Sequence, residues 1–327
     1  MKPFTFSVAD TPEGAVKELK SFSGARLIAG GTNLLDLMKE TIMTPSRLVD
    51  INHLELAGLQ QLPDGSVLLG ALMTNADTAY HEVIQTRYPL LSQAILAGAS
   101  PQLRNMATNG GNLMQRTRCY YFYDAGMPCN KRCPGTGCPA IPGLNRIHAI
   151  LGTSDHCIAV HPSDFCVALA ALAAQIHIQG PNGKRTLSMA DFHRLPEDHP
   201  ERDNNLADDE IITGIQLPPE DFAVHHAYLK IRDRQSYAFA LVSVAAALRL
   251  EAGVISQARI ALGGVAAKPW RVPEAEILLV GHPPSEDIFM KAAEHLLQGA
   301  VGRGHNDFKI PLAKRAIVRA LQEAADM

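Results

Sequence analysis

The chain has little charge of either sign in excess. Of its 327 residues 30 are basic and 33 acidic, a formal net charge of −3, and so near-neutral a balance gives no electrostatic reason to expect nucleic acid or an anionic membrane as partner. It has no long hydrophobic run. The purest, Cys166 to Ala174, is far short of the ~20 residues that a bilayer span requires. The N-terminal stretch Met1–Ser7 has one lysine and no apolar core, so it does not read as a signal peptide. Synthesis in the cytoplasm is expected, with export in a folded complex as the one route to the periplasm. Neither G-x-G-x-x-G nor G-x-x-x-x-G-K-[ST] occurs, which removes the usual nicotinamide and P-loop readings. No internal repeat, low-complexity tract, catalytic triad or carboxylate dyad is found, so no acid–base residue is named.

Hydrophobic content of 46% with 19% charge supports a large core and, at this length, two domains. Strands are expected at Pro3–Ser7, Arg26–Ala29 and Arg47–Ile51, with helices after Thr11-Pro12-Glu13 and over Leu34–Met38. This is a compact βαβαβ unit. A second unit follows from Leu54, with a strand at Val67–Leu72, a helix capped by Thr74–Asp77, a helix over Pro89–Gly98, a polar loop at Arg104–Leu113, and an apolar helix over Phe165–Ala174. A hairpin is expected across Gly180–Gly183 and an exposed acidic loop over Glu197–Asp209. From Val224 onward, strands at Tyr228–Ile231, Ala240–Leu250 and Ala258–Leu262 read as antiparallel. Helices follow over Glu274–Val280, Ser285–Gln298 and Pro311–Ala325.

Two glycine-rich loops stand out. Ala29-Gly30-Gly31-Thr32-Asn33-Leu34 joins a strand to a helix, where glycine lets the backbone approach an anion closely. Thr108 to Asn112 offers a second set of amides to the same ligand. The third feature is cysteine. Five of the six fall in the spacing C-x9-C-x3-C-x4-C-x18-C between Cys119 and Cys157, in a stretch rich in proline and glycine. Cys166 lies apart on an apolar helix. Reduced bystander thiols, a zinc site drawing on His148, His156 or His161, and an iron–sulfur cluster all compete for the five. A disulfide scaffold does not suit a core of this size.

The two loops, together with Pro162-Ser163-Asp164, Asp209-Glu210-Ile211-Ile212 and Lys230-Ile231-Arg232-Asp233-Arg234, occur in the order seen in the FAD-binding medium subunits of the molybdenum hydroxylases. The chain resembles that family over nearly its whole length. The resemblance implies an α+β chain: a two-lobed FAD-binding fold of the vanillyl-alcohol-oxidase (PCMH) type over residues 1–223, with lobes 1–53 and 54–223. A C-terminal domain of three antiparallel strands with helices would occupy residues 224–327. It implies that Leu27, Ile28, Ala29, Gly30, Gly31, Thr32, Asn33 and Leu34 wrap the FAD pyrophosphate. Thr108, Gly111 and Asn112 would meet FAD from the second lobe, and Asp164, Ile211, Ile212 and Lys230 would line its flavin side.

An insertion of about forty residues, roughly 115–160, separates the second loop from the Ser-Asp motif. It is similar to the insertion that carries a [4Fe-4S] cluster in bacterial periplasmic-type aldehyde oxidoreductases, where the ligand positions match Cys119, Cys129, Cys138 and Cys157 and leave Cys133 spare. Arg116, Arg118, Lys131 and Arg132 lie close by in sequence and are candidates to offset thiolate charge. The implied function is electron transfer inside a heterotrimer, from a small [2Fe-2S] subunit to this chain's FAD, with substrate oxidised at the molybdenum cofactor of a large subunit. The main alternative is a relay or assembly module whose insertion binds zinc or a cluster to shape a docking surface.

Overall fold

The computed structural model describes residues 1–219 and 222–327. Among the described residues eleven strands form three sheets. The first holds β1 (Thr5–Val8), β2 (Ala25–Ile28) and β3 (Arg47–Asp50) in the order β1-β3-β2, all parallel. The intervening helices Pro12–Ser21 and Leu34–Lys39 make this the βαβαβ unit read from the sequence. Thr11 starts the first helix by accepting the Gly14 N–H at 3.0 Å, with Pro12 in the first turn where its missing N–H costs nothing.

The second sheet is antiparallel, in the order β4-β5-β8-β6-β7, built from β4 (Leu59–Gln61), β5 (Val67–Gly70), β6 (Gln175–Gly180), β7 (Gly183–Ser188) and β8 (Ile211–Leu217). Its β8 returns to the middle from a distant part of the sequence, so the sheet brackets everything between residues 71 and 174. Beneath it packs the main core, centred on the helices Pro89–Ala97 and Asp164–Ala171. All eight residues of the latter are buried, because this helix touches a helix of its own lobe on one side and strands of the C-terminal sheet on the other.

That last sheet has the order β11-β10-β9, from β9 (His225–Ile231), β10 (Val242–Glu251) and β11 (Val254–Gly263). Ala252 and Gly253 turn the β10–β11 hairpin with φ of 50° and 80°, the pair of positive values a tight hairpin demands. Helices Pro273–Ile277, Glu286–Leu296 and Lys309–Ala325 share a separate apolar core with it. The architecture is thus α+β, with the expected three-stranded antiparallel sheet at the C-terminus.

Three expectations need correction. Arg104–Leu113 is not all loop: Pro101–Arg104 and Asn109–Leu113 are short helices, capped by the Ser100 and Thr108 hydroxyls at 3.3 and 3.2 Å. The cysteine region is irregular except for one helical turn, Tyr120–Tyr123. The acidic stretch at 197–209 is not simply a solvated loop, because Asp203 is three-quarters or more shielded and holds two cations.

Candidate functional site

The first glycine loop hangs between β2 and the helix Leu34–Lys39. Leu27 and Ile28 end β2, in register with Val49 and Asp50 of β3. Gly31 takes a φ of +72°, and a Cβ on Gly30 would lie 1.7 Å from the carbonyl oxygen of Met106. The first loop therefore rests directly on the backbone that leads into the second. Between these contacts the N–H groups of Gly30, Gly31, Thr32 and Asn33 make no hydrogen bond among the described residues. Four successive free amides in a glycine turn form a nest for an anion, and this is the donor set a pyrophosphate takes.

The second loop works differently from the expectation. Its amides are already used: Asn109 and Gly110 donate to the carbonyls of Met73 and Ala71, and Gly111 and Asn112 to Thr108. Capping a helix consumes them. What Thr108, Gly111 and Asn112 provide is a rigid wall. The Asn112 side chain donates to Asn75 Oδ1 at 2.7 Å and accepts from the Ser163 hydroxyl at 2.6 Å. Ser163 in turn caps the buried helix through the Cys166 N–H, which places the next residue, Asp164, in the wall of a cleft of about 250 Å³. Arg118, Tyr120, Asp233, Phe239 and Gly264 also line that cleft.

Asp164 and Lys230 come together, Nζ to Oδ2 at 2.7 Å, and Tyr228 donates to the other carboxylate oxygen at 2.7 Å. Lys230 also donates to the Ala97 carbonyl, so it stands behind Asp164 and outside the cleft lining. Ile211 and Ile212 lie in β8 and are both buried. Ile211 packs with Leu27 and Ala29 in the core of the first lobe, while Ile212 faces the main core. They join the lobes and do not line the cleft.

Cys119, Cys129, Cys138 and Cys157 line one tight pocket of about 10 Å³, and Cys133 is exposed and outside it. The pocket is assembled from four pieces of chain: residues 117–122, the 128–140 loop, His148, and the return segment at 156–159. Burial pushes the Cys119 thiol up to about 12, and the neighbouring Cys129 and Cys157 add to it. Burial likewise raises Cys138 and Cys157, each with Cys129 contributing. Thiols that titrate against one another in this way need a cationic group among them before they ionise together. Among the described residues no three of these sulfurs lie mutually within 4.8 Å. A single tetrahedral zinc draws its sulfurs to roughly 3.8 Å apart, given Zn–S of about 2.3 Å. As placed, no three of these sulfurs meet around one such ion, and the His148 and His156 rings share their pocket.

His148 was expected only as a possible zinc ligand. It lies inside this cage, with Nε2 at 3.1 Å from Cys119 Sγ. Burial lowers its pKa to about 4, so the neutral ring can donate to the sulfur. Lys309 was not anticipated at all. It is fully buried at the start of the last helix, donates to the carbonyls of His148 and Gly264, and is depressed to about 7 by burial. His161, Cys166 and His193 form a further buried group. Its two imidazole rings pack with centroids 4.1 Å apart, whereas two rings on one tetrahedral ion stand roughly 5 Å apart. This is a packing contact, and His161 does not reach the cysteine cavity.

The cysteine cage and the cleft share a wall. Along Arg118-Cys119-Tyr120 the middle residue faces the cage, while both neighbours face the cleft. Arg118 reaches Asp36 of the first lobe at 2.8 Å, and the Arg116 N–H donates to Asn33 Oδ1 at 3.0 Å. The glycine loop, the cage and the cleft are therefore one connected construction.

Comparison with known proteins follows the same lines. The family described as the FAD binding domain in molybdopterin dehydrogenase matches residues 2–220, and the CO dehydrogenase flavoprotein C-terminal domain matches residues 227–324. The chain is 46% identical, over 99% of both proteins, to the aldehyde oxidoreductase FAD-binding subunit PaoB of Escherichia coli. It is 26% identical to the glyceraldehyde dehydrogenase medium chain of Sulfolobus acidocaldarius, over 98% of both. Among solved structures it is similar to carbon monoxide dehydrogenase from Hydrogenophaga pseudoflava, with a TM-score of 0.76 and 27% identity over 99% of this chain and 98% of that one. Quinoline 2-oxidoreductase from Pseudomonas putida 86 gives a TM-score of 0.75 and 25% identity, over 100% and 99%. Free loop amides, the adjoining cleft and both family matches lead to one conclusion: this chain belongs to the FAD-binding medium subunits of the molybdenum hydroxylases.

Proposed function

We propose that the chain is the FAD- and [4Fe-4S]-carrying electron-transfer subunit of a molybdenum-dependent aldehyde oxidoreductase. The observation that carries this reading is the shared wall at Arg118-Cys119-Tyr120, which sets the four-cysteine cage directly against the cleft beside Asp164. The Gly30–Asn33 amides would hold the FAD pyrophosphate, with Leu27 to Ala29 and Leu34 fixing the loop at its ends. Thr108, Gly111 and Asn112 would close the site from the second lobe. Asp164, oriented by Lys230 and Tyr228, would face the flavin ring, with Ile211 and Ile212 keeping the lobes in register behind it. Cys119, Cys129, Cys138 and Cys157 would hold the cluster.

Bound in these places, the two groups supply one- and two-electron transfer, while the protein contributes distance, orientation and charge. Water is kept from the cage by the burial of Cys119, Cys157 and the His148 ring. Residues 1–223 would act as the flavin-holding unit and 224–327 as the lid on its cleft, through Asp233, Phe239 and Gly264. By the same reading the partners are a small [2Fe-2S] subunit that delivers electrons and a large molybdenum-cofactor subunit that oxidises the aldehyde. The complex would be a heterotrimer, exported folded if it works in the periplasm.

The test is to purify the chain with its co-expressed partners and add an aldehyde without oxygen. Bleaching of flavin absorbance and the rise of a cluster signal in this chain support the reading. Aldehyde turnover that leaves both unchanged contradicts it.

A further inference from the structure

We infer that Lys131, clamped by Asp203, sets the reduction potential of the group in the cysteine cage. The inference rests on the reading of that group as a [4Fe-4S] cluster. Four basic residues lie near the cysteines in sequence, but the fold sorts them. Arg118 turns to the cleft and pairs with Asp36, Arg132 clasps backbone carbonyls around residues 121–127, and Arg116 pairs with Asp203. Lys131 alone of the four lines the cysteine cavity.

Its ammonium is held there at a cost. The side chain is only 6% exposed, a rare position for lysine unless it is paired. It donates to the Pro200 carbonyl and to Asp203 Oδ1, both at 2.6 Å. Asp203 comes from the segment 197–209, outside the cysteine insertion, and its second oxygen accepts from Arg116 Nε at 2.6 Å. The Arg116 guanidinium lies over the Phe122 ring, 4.8 Å from its centroid, which fixes the third member in place. Two cations and one anion leave a surplus of one positive charge beside four thiolates.

A cluster held by four thiolates becomes more negative on reduction, so a fixed cation beside it favours the reduced form. Lys131 is therefore a positioning residue whose charge acts through the cage. Asp203 opposes that charge while holding it in place. This arrangement predicts shifts of opposite sign from its two members, which simple damage to the fold would not give.

The experiment is an EPR-monitored redox titration of the purified holoprotein, with iron and flavin measured for each variant. Removing one charge roughly 10 Å away, at an effective dielectric of about 20, changes the reduced-to-oxidised ratio by roughly tenfold, about 59 mV for a one-electron couple. Lys131→Met should lower the potential by about that amount, Asp203→Asn should raise it, and Lys131→Arg should restore the wild-type value. If Lys131→Met fails to retain iron, Asp203→Asn carries the sign, and a rise still supports the inference. Shifts in the same direction, or no shift in variants with full iron, overturn it. Wild-type protein without iron would overturn the cluster reading as well.

Discussion

Lys230 Nζ lies 2.7 Å from Asp164 Oδ2, with 4% and 7% of the two side chains exposed. The pair joins β9 of the C-terminal sheet to the first turn of the buried helix Asp164–Ala171. Removing one partner would leave the other charge buried without compensation. Lys230→Met should lower unfolding stability by about 3 kcal/mol or more, and Asp164→Asn in the same background should recover part of it. Denaturant unfolding of the three proteins measures both effects. A single variant as stable as wild type would remove this pair from the account.

The glycine loop makes a second prediction. Gly31 sits at φ +72°, where a side chain costs about 1–2 kcal/mol, and its amide is one of four left free. Gly31→Val should therefore cut bound FAD severalfold after purification while leaving the cysteine cage and its iron in place. Flavin released by acid precipitation, set against iron in the same sample, separates local loss of the cradle from general unfolding. Undiminished flavin would mean the loop does not hold the cofactor.

Lys309 gives the pH dependence. Its folded-state pKa is lowered from 10.5 to about 7 by burial, so between these values the unfolded chain binds more protons than the native one. The native state is penalised where lysine must be charged, fully below pH 7, and the penalty fades as pH rises toward 10.5. The melting temperature of wild type relative to Lys309→Met should rise across that window. A difference independent of pH would show that Lys309 is not held as a depressed amine.

The order of motifs made the family legible in the sequence. Thr11-Pro12 announced the first helix through its cap, and the apolar run from Phe165 announced the buried one. The close contact of Gly30 with Met106 was not legible, because it depends on where two distant turns meet. Nor was the use of the Gly111 and Asn112 amides inside a helix cap, since a glycine-rich polar string looks the same free or capped. Asp203 and Lys309 were missed for a related reason. A charged residue in a polar stretch reads as solvated, and only the fold shows that each is enclosed by partners more than forty residues away.

The cysteines separate one ligand set from another. Cys138 lines the cage and Cys133 lies outside it. Cys138→Ser should lose most of the iron and Cys133→Ser should keep it, with flavin retained in both. Equal loss would show that the cage uses the fifth thiol.

The most direct test of the central claim is the iron, acid-labile sulfide and flavin content of the purified chain, measured together. The account predicts one FAD with about four irons and four sulfides per chain, and an EPR signal that appears on reduction. A yellow protein that holds zinc or no metal, with full flavin and no such signal, would contradict it.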